Sequence, residues 1–109
     1  MTVSELATAM SLEILALPMP DKQVEGAYAG DLLSWVMGRA SEGCVWATIM
    51  TNMNVVAVAS LAGASLTVIC EQSAVEDEVV RTAQLKGVNL VRTRLPMYEF
   101  CVALSSLLK

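Results

Sequence analysis

The stretch that decides the fold is Gly43-Cys44-Val45-Trp46-Ala47-Thr48-Ile49-Met50-Thr51-Asn52-Met53-Asn54-Val55-Val56-Ala57-Val58-Ala59-Ser60-Leu61-Ala62-Gly63-Ala64-Ser65-Leu66-Thr67-Val68-Ile69-Cys70. It carries no charged residue from end to end, and a membrane-spanning helix needs about 20 apolar residues. Two breaks argue against a span. Thr51-Asn52-Met53-Asn54 places two amides in the run, and Gly63-Ala64-Ser65 interrupts it again. The pieces between are of strand or short-helix length, and no basic cluster flanks them. Val45 to Met50 is rich in β-formers and reads as a buried strand. Asn52 or Asn54 can cap a helix through Gly63, whose Val55, Val56, Val58 and Leu61 leave almost no polar face. Such a helix is expected to be buried on two sides. Leu66 to Cys70 is the next strand. Strands that read as unbroken apolar runs belong to parallel sheets covered on both faces. The run therefore predicts a βαβ unit of a soluble α/β domain.

Working outward from this unit extends the same pattern. On the amino side, Gly30-Asp31 opens a helix with Asp31 as its cap and Leu32, Leu33, Val36, Met37 and Ala40 as its buried stripe. Val24 to Ala29 is a weaker strand, and Leu12 to Leu17 is a strand ended by Pro18 and Pro20. Thr2 and Glu5 have capping-box spacing, with Val3, Leu6 and Met10 on one helical face. On the carboxyl side, Ser73 and Glu76 form a second capping box. The acids Glu76, Asp77 and Glu78 stand at that helix start and Lys86 near its end, the order that suits the helix dipole. Asp77 and Arg81 add a favourable i,i+4 pair, and Gly87 supplies a left-handed C-cap. Val88 to Val91 is the last strand. Pro96 opens a final helix with Met97, Phe100, Cys101, Leu104, Leu107 and Leu108 on one side. The order α-β-β-α-β-α-β-α-β-α predicts one α/β domain over residues 1–109, with a mainly parallel sheet of about five strands and helices on both faces.

Composition narrows the function classes. A chain of 109 residues that is 55% hydrophobic and 17% charged buries enough surface to fold without staples and is too apolar for disorder. Its net charge is −4, with seven basic residues scattered along it, so it lacks the footprint of a nucleic-acid binder. Met1-Thr2-Val3-Ser4-Glu5 has no basic region of a signal peptide, and a cytoplasmic address is expected. Cys44, Cys70 and Cys101 form no CxxC pair and read as reduced, buried thiols. Trp35 and Trp46 read as core aromatics. There is no histidine, which removes the usual general base and the commonest metal ligand. Neither GxxxxGK[ST], GxGxxG nor GxSxG occurs. These absences predict no cofactor, no metal and no self-sufficient catalytic apparatus.

A binding site is located by topology. In an open parallel sheet ligands bind beyond the carboxyl ends of the strands. Those positions are Gly30-Asp31, Thr51-Asn52-Met53-Asn54, Glu71-Gln72-Ser73 and Arg92-Thr93-Arg94. The candidate ligand-binding residues are Asp31, Thr51, Asn52, Asn54, Glu71, Arg92 and Thr93. Asp31 and the asparagines would supply hydrogen bonds, and Arg92 would neutralise an anionic group. Two other readings stand beside this one. An interaction subunit would bury the oily helix 53–63 or the C-terminal helix against a protein partner. An enzyme would use carboxylates, or a thiol such as Cys70 at a strand's carboxyl end.

Three segments carry a resemblance: Ala29-Gly30-Asp31-Leu32-Leu33-Ser34-Trp35-Val36-Met37-Gly38, Thr51-Asn52-Met53-Asn54-Val55-Val56-Ala57-Val58-Ala59, and Thr93-Arg94-Leu95-Pro96-Met97-Tyr98-Glu99. In this order and spacing the chain resembles the small stand-alone DRTGG-domain proteins over roughly residues 12–105. The resemblance implies an α/β fold shared with the N-terminal domain of HPr kinase and with a Mur ligase domain. It also implies a homodimer, a regulatory and sometimes nucleotide-responsive role, and the company of iron-hydrogenase-type systems in anaerobes. Where the family motif would put an Asp-Arg pair, this chain has Asn52-Met53-Asn54. Where the motif would put Thr-Gly-Gly, it has Cys70-Glu71-Gln72.

Overall fold

In the computed structural model, which describes residues 1–108, the elements follow the predicted order. They are α1 (Val3–Ala9), β1 (Glu13–Ala16), β2 (Ala27–Ala29), α2 (Leu33–Arg39), β3 (Val45–Thr48), α3 (Met53–Ala62), β4 (Leu66–Ile69), α4 (Asp77–Leu85), β5 (Leu90–Arg92) and α5 (Met97–Leu107). The five strands form one sheet in the order β1-β5-β4-β3-β2. Alternation along β3, β4 and β5 feeds two cores. Trp46, Ile69 and Leu90 meet Val36 of α2, Val55 and Val56 of α3, and Val79 and Ala83 of α4 on one face. Val45, Ala47, Leu66, Val68 and Val91 meet Val3 and Leu6 of α1 and Phe100 and Leu104 of α5 on the other. Burial on both faces is why the Gly43–Cys70 run shows no polar period.

The expectation of a mainly parallel sheet is corrected at one edge. β2, β3, β4 and β5 are mutually parallel, but β1 lies antiparallel to β5, with Glu13 opposite Arg92. A parallel neighbour requires a crossover, usually helical, and none separates β1 from β2. The chain leaves β1 at the amino edge of the parallel strands and runs beneath the sheet through residues 17–26 to reach β2 at the far side. Polar clamps hold this strap. The buried Asn89 side chain accepts from the Met19 N–H at 2.9 Å and donates to the Met19 carbonyl at 2.7 Å and the Ser65 carbonyl at 2.9 Å. Ser65 Oγ donates to the Gln23 carbonyl at 2.6 Å, and the Glu25 N–H to the Gly43 carbonyl at 2.9 Å.

Helix starts divide into those the sequence predicts and those it does not. Thr2 and Glu5 form the expected reciprocal capping box. Asn52 caps α3 by accepting from the Asn54 N–H at 2.9 Å, and Gly63 and Gly87 adopt the left-handed conformation beyond their helices. Asp31 does not cap α2. That helix begins two residues later, at Leu33, and its N-cap Leu32 makes no side-chain bond. The carboxylate is drawn instead to the end of β3. Nor does Ser73 open α4, whose N-cap is Glu76 without a side-chain bond. Ser73 still belongs to the turn after β4, where its hydroxyl donates to the Cys70 carbonyl at 3.2 Å.

Burial corrects three further expectations. Of the predicted α2 stripe only Val36 is fully buried, while Leu32 and Met37 are exposed. α3 buries Val55, Val56, Val58 and Ala59 but leaves Leu61 open to solvent, so it is covered from one side. Trp46 is a core residue, its Nε1–H donating to the Gly30 carbonyl at 2.9 Å. Trp35 is not: it is half exposed, with the Arg39 guanidinium 3.8 Å above its ring centroid. Among the described residues no helix is long and apolar enough to cross a membrane.

Candidate functional site

Because β2, β3, β4 and β5 run the same way, their carboxyl ends share one edge, opposite the strap. At the β2 and β3 end of this edge, Asp31 Oδ1 accepts from Thr48 Oγ1 at 2.6 Å and from the Ile49 N–H at 3.0 Å. Thr48 Oγ1 in turn accepts from the Met50 N–H at 3.2 Å. Asp31 thus fixes the turn that carries Thr51, Asn52 and Asn54 to the N-terminus of α3. Asn52 and Asn54 are exposed and Thr51 is half buried.

At the β4 and β5 end, the chain after Cys70 is held in an uncommon conformation. Glu71 and Gln72 have φ of 61° and 55°, the left-handed region that side chains with a Cβ rarely occupy. They stay there because their N–H groups donate to the Leu95 and Thr93 carbonyls, both at 2.9 Å. These are the positions where the resemblance read from the sequence would place glycines. Beside this turn lies an open recess of about 320 Å³ lined by Ser11, Glu13, Gln72, Arg92, Thr93 and Arg94.

Arg92 is not free in this recess. Its Nη2 lies 2.7 Å from Glu13 Oε2, its Nε donates to Glu13 Oε1 at 3.1 Å, and its Nη1 donates to the Ser73 carbonyl at 3.1 Å. The pair follows from the strand reversal, because only an antiparallel β1 brings Glu13 to this edge. Hydrogen bonding from Arg92 holds the Glu13 carboxyl below its ordinary pKa and raises that of the guanidinium. Arg94 is exposed and forms no ion pair among the described residues. It is the cation at this end available to a ligand.

The structure therefore divides the predicted residues into two groups. Arg92 and Thr93 line the recess beside Glu71, whereas Asp31, Thr51, Asn52 and Asn54 stand at the other end. With strands about 4.8 Å apart, the β2 and β5 ends are separated by about 14 Å. Gln72 and Arg94, which the sequence places at this edge, also line the recess, and Ser11 and Glu13 join it from β1 and the turn before it, which the sequence reading did not place there. The missing signal was the direction of β1. Cys70 is fully buried, and burial, reinforced by Cys101 and the nearby acids Asp31 and Glu71, pushes its pKa up to about 12. A thiol held protonated is a poor nucleophile, so the thiolate reading finds no support. No cluster of three or more metal-ligating side chains occurs among the described residues.

The fold and this edge define a class: a small α/β domain with an open carboxyl edge. No protein-family model matches the chain, and no curated protein matches it. Among solved structures it is similar to the CBS and DRTGG domains of the regulatory region of Clostridium perfringens pyrophosphatase, determined in complex with the activator diadenosine tetraphosphate. The TM-score is 0.69 at 12% identity, over 90% of this chain and 43% of that one. The chain thus spans less than half of that structure, and what the two share is the fold. The resemblance to DRTGG domains read from the sequence reappears in three dimensions.

Proposed function

We propose that this chain is a non-catalytic regulatory module that binds a nucleotide or another anionic small molecule at the carboxyl edge of its sheet. The observation that carries the reading is the recess beside the Glu71-Gln72 turn, where Arg94 stands uncommitted next to the Arg92–Glu13 pair. A phosphate seated there would meet Arg94 and the Thr93 hydroxyl. The rest of the ligand would run along the edge toward Thr51, Asn52, Asn54 and Asp31, a span suited to a nucleotide or longer polyphosphate. The similar pyrophosphatase region carries a nucleotide activator, which supports this ligand class. The free cysteines fit a reducing cytoplasmic setting.

The test is a thermal-shift screen with nucleotides, dinucleoside polyphosphates, inorganic phosphate and sulfate. A ligand at about 100 times its dissociation constant adds about 2.7 kcal/mol of stability, several degrees in the midpoint of a domain this size. A saturable shift that is lost in Arg94→Ala is the expected result. A flat panel, or a shift that Arg94→Ala leaves intact, refutes the site. The second reading, an interaction subunit without a small ligand, draws on Tyr98 and Val102, which stand exposed on α5. Retention of a partner protein by the wild type but not by Tyr98→Ala/Val102→Ala would favour it.

A further inference from the structure

The donors that line the Arg92 recess converge on one carboxylate. Glu13 Oε1 accepts from Arg92 Nε at 3.1 Å and from Gln72 Nε2 at 3.3 Å, and Arg92 Nη2 donates to Glu13 Oε2 at 2.7 Å. The guanidinium fork thus meets both carboxylate oxygens, the same geometry by which arginine grips a phosphate. Hydrogen bonding from Arg92 is the first cause of the lowered Glu13 pKa, and the charge of Arg94, in the same recess, adds to it. Each group arrives on a different segment: Glu13 opens β1, Arg92 and Arg94 stand at the end of β5, and Gln72 belongs to the left-handed turn after β4. An anion entering the recess therefore finds its best donors already occupied by an acid of the chain itself.

We infer that the Glu13 carboxylate is a built-in competitor for the ligand's phosphoryl group: it occupies the recess by holding Arg92, and a bound ligand takes its place. Resting on the ligand reading above, this gives that site a displaceable acid and a second cation. Two observations make the exchange workable. The Glu13 side chain is 45% exposed against 18% for Arg92, and an exposed pair of this kind favours its bound form about fivefold at most, so the acid can swing out to water. Arg92 keeps another anchor when it does, because its Nη1 donates to the Ser73 carbonyl at 3.1 Å. The guanidinium thus stays aimed into the recess beside Arg94. The ligand class follows from the competition. A tethered carboxylate competes at an effective concentration of about a millimolar or more, and a lone carboxylate in solution gains little by replacing it. A terminal phosphoryl group brings three acceptor oxygens and nearly twice the charge to the two guanidinium groups.

Titration of the intact chain with AMP at about pH 8, where the terminal phosphate is a dianion, tests it, with the Thr93 and Arg94 amide signals followed in two-dimensional NMR spectra. Glu13→Gln should bind AMP about fivefold more tightly than the wild type, and Glu13→Ala should show the same gain. Glu13→Gln/Arg92→Gln should lose it. Glu42→Gln makes the same change of net charge at the opposite edge, where Glu42 lies over Gly63, and should bind as the wild type does. AMP binding of equal strength in wild type and Glu13→Gln, abolished by Arg94→Ala, overturns the competitor and leaves the ligand reading standing. A gain that survives Arg92→Gln, or that Glu42→Gln reproduces, also overturns it, because Glu13 would then act through its charge and not by holding Arg92. If neither the wild type nor Glu13→Gln binds AMP or inorganic phosphate, the recess is refuted as an anion site and the competitor falls with it.

Discussion

Replacing Glu71 and Gln72 together by glycine should stabilise this protein, although it deletes two side chains at the proposed site. Each residue sits at positive φ, which costs a residue with a Cβ about 1–2 kcal/mol. Glycine removes that cost but loses about 0.5–1 kcal/mol through the greater freedom of the unfolded chain. The balance is about 0.5–1 kcal/mol of added stability per position. Against it stands the hydrogen bond from Gln72 Nε2 to Glu13 Oε1, long at 3.3 Å and exposed, worth at most about 0.5 kcal/mol. The double variant should therefore gain about 1 kcal/mol, raising the urea midpoint by about 0.5 M and the thermal midpoint by about 4 °C. The control is Glu71→Ala/Gln72→Ala, which keeps the Cβ and hence the strain; it should stay within about 0.5 kcal/mol of wild type. Loss of stability in the glycine variant, or an equal gain in the alanine one, would show that the turn is not strained and that the link to the glycine motif is coincidental.

Three further outcomes follow from buried and paired groups. Thr67 Oγ1 is the buried side-chain oxygen without a hydrogen-bond partner among the described residues, so the near-isosteric Thr67→Val should add about 1–2 kcal/mol in urea unfolding; a loss would mean that the hydroxyl is satisfied in solution. The Cys70 pKa, raised from 9.0 to about 12 on folding, contributes stability that is complete below pH 9 and declines as pH rises, by at most about 1.4 kcal/mol per unit. Cys70→Ala should therefore lose less stability than wild type between neutral and alkaline pH, and parallel curves would contradict the assigned burial. A carboxyl lowered on folding, as Glu13 is from 4.5, adds stability that is present above its unfolded value and vanishes as pH falls through the folded one. The difference in thermal midpoint between wild type and Arg92→Gln should narrow from about pH 7 to about pH 3, and a constant gap would mean that the ion pair contributes nothing.

The element order was legible because each signal is local. The apolar run around Val45–Cys70, the amide cap at Asn52 and the left-handed glycines Gly63 and Gly87 all act within a turn or two of themselves. The direction of β1 was not legible from its own residues, since Glu13-Ile14-Leu15-Ala16 would suit either neighbour. The clue lay in the missing helix between β1 and β2, which rules out an ordinary crossover. From that one omission came the misreading of Arg92 as a free cation, because its partner stands 79 residues away in sequence. Asp31 was misread for a different reason. A capping acid and an acid that braces the next strand look alike in sequence, and only the approach of Thr48 across the sheet decides between them. Trp35 and Met37 failed the burial expectation because the short helix α2 sits at the edge of the sheet, where one flank has nothing to pack on.

The strap beneath the sheet also bears on how the chain assembles during synthesis. Residues 17–26 send two strands that are neighbours in sequence to opposite margins, so β1 and β2 cannot pair with each other. The place beside β1 stays empty until β5 arrives, with Ile14 meeting Val91, and Asn89 must be present before it can grip Met19. Contacts that close so late favour slow folding. A ribosome-bound chain lacking its last two elements would keep an open seam on β4 as well as on β1. Completion of the sheet therefore waits on β5, and chains truncated within β5 should be recovered as aggregates rather than as smaller folded domains.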